Sequence, residues 1–380
     1  MIEYAAFLLP IAAASGWYIA YRQYKVKKQS STLDHSGYFK GLNYLLNEQP
    51  DKAIDVFIDL LEVDNETIET HLALGTLFRQ RGEVEKSIRL HQNLIARPQL
   101  GTELKNDVLN ELGLDYMRAG LLDRAENIFL ELEQQSSHRV NAVNQLLSIY
   151  QQESDWSKAI DYALILEKIE KAPLPVLLSN LYCELAKTCL IGHDLSSAKL
   201  YLKKAAKKDA NGVRVVVMQA EISADEGNYK SALNYYLKIQ YQDKRFIPVF
   251  LEQILGCFNM QNKQKEKLNF LTSMGSEIES SILVDSLVMD MKVEQGEAEA
   301  IEFVKNKLAQ SPSLSYLMLY SKLVLASGQP QENSAFLLDA INKLYRVKLS
   351  FHCEQCGFDS TEINWLCPSC KTWGSCYPVS

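Results

Sequence analysis

A repeat with a period of about 34 residues most strongly constrains the fold of this chain. Gly41, Gly75 and Gly113 are each followed by a small side chain twelve residues later and by a ring sixteen residues later. The small residues are Ala53, Ser87 and Ala125, the rings are Phe57, His91 and Phe129, and the same phase continues at Leu147, Ala186 and Ala220. Two helices approach closely only where a small side chain faces a large one. The repeat therefore predicts helical pairs that stack into a solenoid.

Glycines also mark the predicted turns between the two helices of a pair. Gly82, Gly120 and Gly227 each lie seven residues after a position of the repeat phase. A 34-residue period with these features resembles the tetratricopeptide repeat, and the match is strong over residues 34–240. This resemblance implies an all-α superhelical solenoid.

The repeat weakens towards the C-terminal side. Residues 247–275 depart from the pattern, and Glu266 falls where the repeat expects a small residue. Residues 295–300 again fit a turn followed by a second helix. We predict a tetratricopeptide-repeat array over residues 34–345, with about nine helical pairs of which the later ones are degenerate.

The composition and the motifs exclude several classes of protein. Lys and Arg number 40 against 47 Asp and Glu, and this net charge of −7 argues against a nucleic-acid binder. With 17 Gly and 10 Pro, the chain has few turn residues for an all-β fold. It contains no Gly-rich phosphate loop, nucleophile elbow or HExxH motif. We assign no catalytic and no cofactor-binding residue, and expect a protein that is not an enzyme.

An uncharged segment near the N-terminus predicts a membrane anchor. Residues 4–21 carry no charge, and as a helix they span about 27 Å, close to the roughly 30 Å hydrocarbon core of a bilayer. Aromatic residues lie at both ends, and four basic residues follow between positions 22 and 28. The positive-inside rule predicts a transmembrane helix at 1–21 with its N-terminus outside, and a cytoplasmic tether at 22–33. A cleaved signal peptide and a buried core helix are the alternatives.

Cysteines near the C-terminus predict a metal site. Cys353, Cys356, Cys367 and Cys370 have the spacing C-x2-C-x10-C-x2-C, in which two tight turns can present four thiolates to one ion. Such a set suits Zn²⁺ or a single rubredoxin-type iron. Paired disulfides or a redox dithiol are the alternatives. Cys376 is a surplus thiol, and His352 is not needed because four cysteines complete the site.

The segment that carries these cysteines is small. We predict a metal-binding domain at residues 346–380, which needs its ion to fold. Phe358, Trp365 and Trp373 are expected to form its core. Because four protein ligands close the site, we expect the ion to have a structural role.

Other reactive side chains are given ordinary interpretations. Cys183, Cys189 and Cys257 lie in apolar helical patterns and are expected to be buried. The histidines at positions 71, 91, 138 and 193 are scattered, and we assign none of them as a ligand. A basic cluster of Lys203, Lys204, Lys207 and Lys208 is interpreted as a solvated helix face, in preference to an anion or membrane contact. We predict no particular partner-binding residues.

The order of an anchor, a tetratricopeptide array and a two-turn cysteine module resembles the lipopolysaccharide assembly protein B family of Gram-negative bacteria, over nearly the full chain. Its most specific segments here are residues 110–116, which lead into 119–126, and the cysteine tail at 353–373. The resemblance implies a rubredoxin-like module that packs on the repeats, an inner-membrane location and a non-catalytic adaptor role. Lys371, where a rubredoxin turn often has glycine, departs from the pattern.

The resemblance also implies partners. They are a membrane-bound AAA protease of the FtsH type, the UDP-acyl-N-acetylglucosamine deacetylase of the lipid-A pathway, and an inner-membrane sensor of lipopolysaccharide. The expected function is to bring the deacetylase to the protease and so to control lipopolysaccharide synthesis. A redox protein with an iron centre and a general peptide-binding chaperone adaptor are the alternative functions.

Overall fold

The structure, a computed structural model, describes residues 68–98, 100–277, 281–294, 296–310, 314–326 and 350–379, together with a few residues before position 68. It divides into two compact units, residues 1–155 and 156–380. The predicted membrane helix and tether, apart from Trp17 and Tyr18, lie outside the described residues. Within the part of the chain that is described, no helix is both long enough and apolar enough to cross a membrane.

The described part of the first unit is helical from residue 68 onwards. Its helices are α1 Ile68–Gln80, α2 Val84–Ile95, α3 Thr102–Ala119, α4 Leu122–Glu133 and α5 Arg139–Gln152. Each helix packs on the next one along the chain, and α1 also contacts α3. This packing is the stacking that the repeat predicts.

The second unit continues the helices and ends in a small sheet. Its regular helices are α6 Trp156–Glu170, α7 Pro175–Ile191, α8 Leu195–Lys208, α9 Val213–Asp225, α10 Tyr229–Tyr236, α11 Ile239–Gln242, α12 Leu251–Met260, α13 Gln264–Glu277, α14 Ser281–Glu294, α15 Glu297–Gln310 and α16 Leu314–Ala326. A short 3-10 turn, Lys244–Phe246, lies between α11 and α12. The chain is thus a helical solenoid with a C-terminal module, as predicted.

The turns within the pairs use a left-handed residue at the predicted place. Gly82, Gly120 and Gly227 have φ angles of 83°, 74° and 75°. Ser154 and His193 take the same conformation, with φ of 60° and 58°, seven residues after their own phase positions. The chain direction therefore reverses in one way throughout these pairs, whichever residue occupies the turn.

Small residues do allow the close helix contacts that the repeat predicts. A Cβ atom added to Gly113 would lie 2.7 Å from Cζ of Phe129, which is fully buried on α4. A Cβ atom on Gly75 would likewise overlap the His91 ring on α2. Each of these contacts joins the first helix of a pair to the second helix of the same pair, and the two pairs are consecutive in the chain.

His91 belongs to a buried polar network. Its Nδ1 lies 2.5 Å from Oδ2 of Asp115, and both side chains are fully buried. Asp115 Oδ1 accepts hydrogen bonds from the Arg79 guanidinium and the Ser87 hydroxyl, each at 2.8 Å. Arg79 also bonds Glu111 at 2.7 Å. Since these residues come from α1, α2 and α3, the network ties three helices together, and His91 is here a structural residue.

The irregular region between α10 and α13 is displaced by one residue from the repeat. The left-handed residue there is Asn262, eight residues after the phase position Ile254 rather than seven. Glu266, whose position in the repeat marked this region as a departure from the pattern, lies on the surface, and Lys267 is buried instead. The Lys267 ammonium forms an ion pair with Asp290, whose Oδ2 lies 2.9 Å from Lys267 Nζ. The departure that the sequence shows at Glu266 is thus a displacement of the repeat by one residue.

The C-terminal module is a three-stranded antiparallel sheet with the order β2-β1-β3. Its strands are β1 Ser350–Cys353, β2 Asp359–Ser360 and β3 Cys376–Val379. Cys353 pairs with Cys376 across β1 and β3, and Phe351 pairs with Ser360 across β1 and β2. The sheet holds the end of β1, where the cysteine site begins.

Candidate metal centre

Two turns of matching construction bring the four predicted ligand cysteines together. Cys353 starts the first turn and Cys367 starts the second. The N–H of Gly357 donates to the Cys353 carbonyl, and the N–H of Lys371 donates to the Cys367 carbonyl, both at 2.9 Å. The C-x2-C spacing thus produces the same backbone conformation twice.

Each turn places a left-handed residue directly after its second cysteine. Gly357 has a φ of 77° and Lys371 a φ of 57°. Glycine adopts this conformation without steric cost, whereas a lysine loses roughly 1 kcal/mol. The second turn keeps its shape although Lys371 departs from the glycine that rubredoxin turns often have.

Backbone N–H groups point at all four sulfur atoms. They come from Gln355 and Cys356 for Cys353, from Phe358 for Cys356, from Ser369 and Cys370 for Cys367, and from Thr372 for Cys370. Hydrogen bonds from N–H groups stabilise thiolates, because they place partial positive charge against the sulfur. The turns therefore prepare the site for negative sulfur ligands.

The separations of the sulfur atoms fit one tetrahedrally bound ion. All four Sγ atoms lie within 4.8 Å of one another, and the Cys353–Cys370 and Cys356–Cys367 pairs are each 3.7 Å apart. With metal–sulfur bonds of about 2.3 Å, a tetrahedral site has sulfur–sulfur separations of about 3.8 Å. The four cysteines could thus hold one metal ion, and the geometry suits zinc and iron equally.

The thiols differ in how readily they lose a proton. The hydroxyl of Ser375, 3.2 Å from Cys353 Sγ, lowers the pKa of Cys353 to about 6. The hydroxyl of Thr372 lowers the pKa of Cys370, whereas burial raises the pKa of Cys367. Each turn therefore offers one readily ionised thiol. A bound cation supplies the positive charge that keeps the remaining thiols ionised.

Two neighbouring side chains remain outside the ligand set. Cys376 is buried on β3, where desolvation raises the pKa of its thiol. His352 Nδ1 lies 2.8 Å from Asp359 Oδ1 on the exposed side of the sheet. The four-thiol site is complete without either of them.

The module docks on the first helices of two pairs in its own unit through Arg214 of α9. Its guanidinium carbon lies 5.9 Å from the ring centre of Trp365 and 5.6 Å from that of Trp373. Arg214 also donates to Asn180 Oδ1 at 3.2 Å and to Glu184 Oε1 at 2.6 Å, both on α7. This buried guanidinium therefore links two helices to the two indole rings of the module.

A second contact lies at the short turn before α12. The ring of Phe246 stacks on Trp365, with 5.7 Å between ring centres. Arg245 bonds Glu354 at 3.0 Å and places its guanidinium carbon 4.0 Å from the ring centre of Tyr377. The departure of residues 247–275 from the repeat thus begins next to residues that hold the module.

Two of the three aromatic residues that were predicted to form the core of the module have another role. Phe358 packs on the cysteines as expected. Trp365 instead packs on the core of the helical pairs, and Trp373 faces Arg214. The reason is physical, because a sheet of three short strands has too little interior for two indoles, and the helices offer them a larger apolar surface.

The docking residues Arg214, Arg245 and Phe246 were not predicted from the sequence. A signal for Arg214 was present, since it is the one charged residue among the valines of 213–217. A charge inside such an apolar run must find partners when the run is buried. Arg245 and Phe246 carry no comparable signal, because an Arg-Phe pair in an irregular segment is an ordinary sequence.

Comparison with known proteins agrees with both parts of the architecture. Residues 351–378 match the family described as "Rubredoxin metal binding domain", and residues 70–103 match "Tetratricopeptide repeat". Lipopolysaccharide assembly protein B of Escherichia coli (strain K12) is 36% identical over 383 residues, which cover 100% of this chain and 98% of that protein. The protein of the same name from Haemophilus influenzae is 32% identical over 395 residues, covering 100% and 99%. A solved tetratricopeptide repeat protein from Parabacteroides merdae aligns with 69% of this chain and all of its own, at 15% identity and a TM-score of 0.35.

The fold and the site together define a tetratricopeptide-repeat protein with a C-terminal four-cysteine metal-binding module. Its likeness to the Escherichia coli and Haemophilus influenzae proteins extends over the full length of the chain. The chain belongs to the lipopolysaccharide assembly protein B family.

Proposed function

We propose that this chain is a non-catalytic adaptor that regulates lipopolysaccharide biosynthesis at the bacterial inner membrane. It promotes degradation of the UDP-acyl-N-acetylglucosamine deacetylase by the FtsH-type AAA protease, and an inner-membrane sensor of lipopolysaccharide relieves this action. The full-length likeness to proteins named for lipopolysaccharide assembly supports the pathway. The proposal also names three partners within this pathway, which are the protease, the deacetylase and the sensor.

The observation that carries the adaptor role is the docking of the cysteine module on α7 and α9 through Arg214. Cys353, Cys356, Cys367 and Cys370 are the proposed ligands, and four thiolates leave no open position at which a bound ion could activate water or a substrate. The ion, when bound, supplies structural cross-linking. The module therefore serves to shape the surface of the array, which is the part available for partner proteins.

The membrane anchor belongs to the same proposal. A helix at residues 1–21 with an outward N-terminus would hold the rest of the chain at the cytoplasmic face. Tethering raises the effective concentration of the array near a membrane protease, which favours a ternary complex without new contacts. Deletion of residues 1–21 should move the protein from the membrane fraction to the soluble fraction and impair regulation. Full regulation by the truncated protein would contradict this part.

The test is capture of the full-length protein from native membranes, followed by reconstitution. We expect the protease and the deacetylase to co-purify, and degradation of the deacetylase by the purified protease to accelerate when this protein is present in the same bilayer. A matched variant, Arg214→Ala, should weaken the acceleration while it keeps the membrane location. Equal degradation rates with and without the protein would overturn the proposal.

A redox protein is a second candidate because the sulfur geometry suits iron as well as zinc, and Cys356 is exposed. The two functions differ in a direct measurement on the same preparation. The redox function would be favoured if the centre held iron, gave a reversible one-electron signal and had to be redox-active for regulation to occur. A colourless, zinc-loaded and fully active protein would exclude it.

A further inference from the structure

We propose that a basin lined by lysines, where α6 ends, α7 begins and α8 ends, binds a phosphate-bearing anion. The basin is an open surface depression of about 540 Å³, and its charged residues are Glu167, Lys168, Lys171, Lys207 and Lys208. Lys168 and Lys171 come from the end of α6 and the following loop, and the other two lysines come from the last turn of α8. The proposal does not depend on the adaptor function.

The charge of the basin is strongly positive within an acidic protein. Its acidic side chain, Glu167, is already occupied, because Oε2 lies 2.9 Å from Lys208 Nζ and Oε1 accepts the N–H of Leu174 at 2.8 Å. The bond from Leu174 and the charge of Lys208 keep the pKa of Glu167 below its ordinary value. Three ammonium groups therefore face the basin without compensation from its own carboxylate.

Those three groups, on Lys168, Lys171 and Lys207, are exposed and make no ion pair or hydrogen bond within the described part of the chain. Two other lysines on α8 have partners outside the basin. Lys199 pairs with Glu226 at 2.5 Å, and Lys204 lies over the ring of Tyr201 at 5.2 Å. Lys203 of α8 is exposed as well but does not line the basin. Three exposed lysines without an ion pair are therefore gathered in one concavity.

Helix dipoles explain part of this arrangement. Lys168 and Lys207 lie in the last turns of α6 and α8, where a cation stabilises a helix C-terminus through the helix dipole. That effect applies to each helix separately and requires neither a concavity nor a third lysine. Lys171 lies beyond α6, with a φ of 53°, at a position where helices commonly have glycine. A basin with three free ammonium groups goes beyond what capping requires.

The chemistry of the lining selects the class of ligand. Lysines bind phosphate as mobile point charges, and three of them together can pair with a group that carries more than one negative charge. Pro173 and Pro175 line the basin between the lysines and provide a rigid, apolar wall. A compact group with more than one negative charge fits this set. It could be a free phosphate compound or the headgroup of a phospholipid, which share this chemistry.

The test is titration calorimetry on the full chain in nanodiscs of phosphatidylcholine, with empty nanodiscs as the blank. Pyrophosphate, dihexanoyl phosphatidic acid and dihexanoyl phosphatidylcholine are the probes. We expect pyrophosphate and dihexanoyl phosphatidic acid to bind. The zwitterionic dihexanoyl phosphatidylcholine should not bind. Tighter binding of the phosphatidic acid identifies a lipid headgroup as the natural source, and tighter or equal binding of pyrophosphate identifies a free phosphate compound.

The variant Lys168→Gln/Lys171→Gln/Lys207→Gln should weaken binding about tenfold or more, because it removes all three free charges. The matched control Lys187→Gln/Lys230→Gln/Lys265→Gln removes the same total charge from exposed sites elsewhere and should bind like the wild type. Equal weakening in both variants would overturn the proposal, since it would show attraction by net charge alone. Absence of binding to the wild type, or tighter binding of a hexaglutamate peptide than of either phosphate probe, would overturn it as well.

Discussion

The guanidinium of Arg214 lies 5.6 Å from the ring centre of Trp373, and this contact joins a helix of the array to the cysteine module. Arg214 is 7% exposed and also bonds Asn180 and Glu184. Removal of a buried charge with several partners costs much free energy, because its partners are left without the charge that balanced or bonded them. The contact therefore couples the array and the module energetically.

Arg214→Ala should release the module from the helices and leave its metal bound. The substitution removes the contacts to both indoles and leaves Glu184 without its cation, a loss of about 3–5 kcal/mol. Hydrogen exchange over residues 350–379 should become faster, while the metal content stays the same. The control is Arg139→Ala, which changes an exposed arginine of α5. Unchanged exchange in the Arg214 variant would show that the docking rests on other contacts.

Replacement of a single proposed ligand should remove the metal. In Cys356→Ser or Cys370→Ser, three thiolates and a hydroxyl remain, and the small module loses the ion that holds its two turns together. Metal analysis of the purified full-length protein should show loss of the ion, and the module should become sensitive to protease. Cys376→Ala, which changes the surplus thiol, should keep one ion per chain. Retention of the full metal content by either ligand variant would contradict the assignment.

Gly113→Ala should destabilise the first unit. The new Cβ atom would lie 2.7 Å from Phe129 Cζ, and the buried ring has no room to move. We expect a loss of about 1–3 kcal/mol in the free energy of unfolding, measured by denaturant titration. Gly256→Ala is the matched control, because its Cβ would meet no atom within 4 Å on α12. That change should stabilise by about 0.5–1 kcal/mol. Similar losses in both variants would argue against the close helix contact.

Asp115→Asn should weaken the same unit through the polar network. Asp115 accepts from Arg79, Ser87 and His91, and the neutral amide cannot compensate the charge of the partly buried arginine. We expect a loss of about 3–5 kcal/mol in the free energy of unfolding. Glu131→Gln, an exposed change on α4, should cost less than about 0.5 kcal/mol. A stability of the Asp115 variant close to that of the control would show that the network is dispensable.

The features that were predictable from sequence are those fixed by local geometry. A left-handed turn residue and a small residue opposite a ring recur with the repeat, so Gly82 and Gly113 could be placed without a structure. The cysteine spacing likewise fixed the two turns. Contacts between distant segments were not predictable. The approach of Trp365 to Phe246, and of Glu354 to Arg245, depends on how the chain returns from the array to its own earlier helices.

The burial of Lys267 in the irregular pair α12 and α13 was also not predictable from the sequence. The turn between α12 and α13 has three residues, as has the turn between α9 and α10, so the extra residue lies before α12. It shifts Lys267 into the buried position, where Asp290 of the next helix pairs with its charge. The sequence pattern shows that this region departs from the repeat but does not place the displacement, because the left-handed position that would mark it, Asn262, has no glycine. A long side chain such as that of lysine can occupy the buried position and still bring its charge to a partner, so the shift leaves no clear sign in the sequence.

The half-life of the lipid-A pathway deacetylase is the most direct measure of the proposed function. It should be followed after protein synthesis is stopped, in cells that are depleted of this protein and then supplied with the wild type or with Arg214→Ala. We predict that depletion lengthens the half-life severalfold, that the wild type restores it, and that the variant restores it incompletely. An unchanged half-life on depletion would contradict the account.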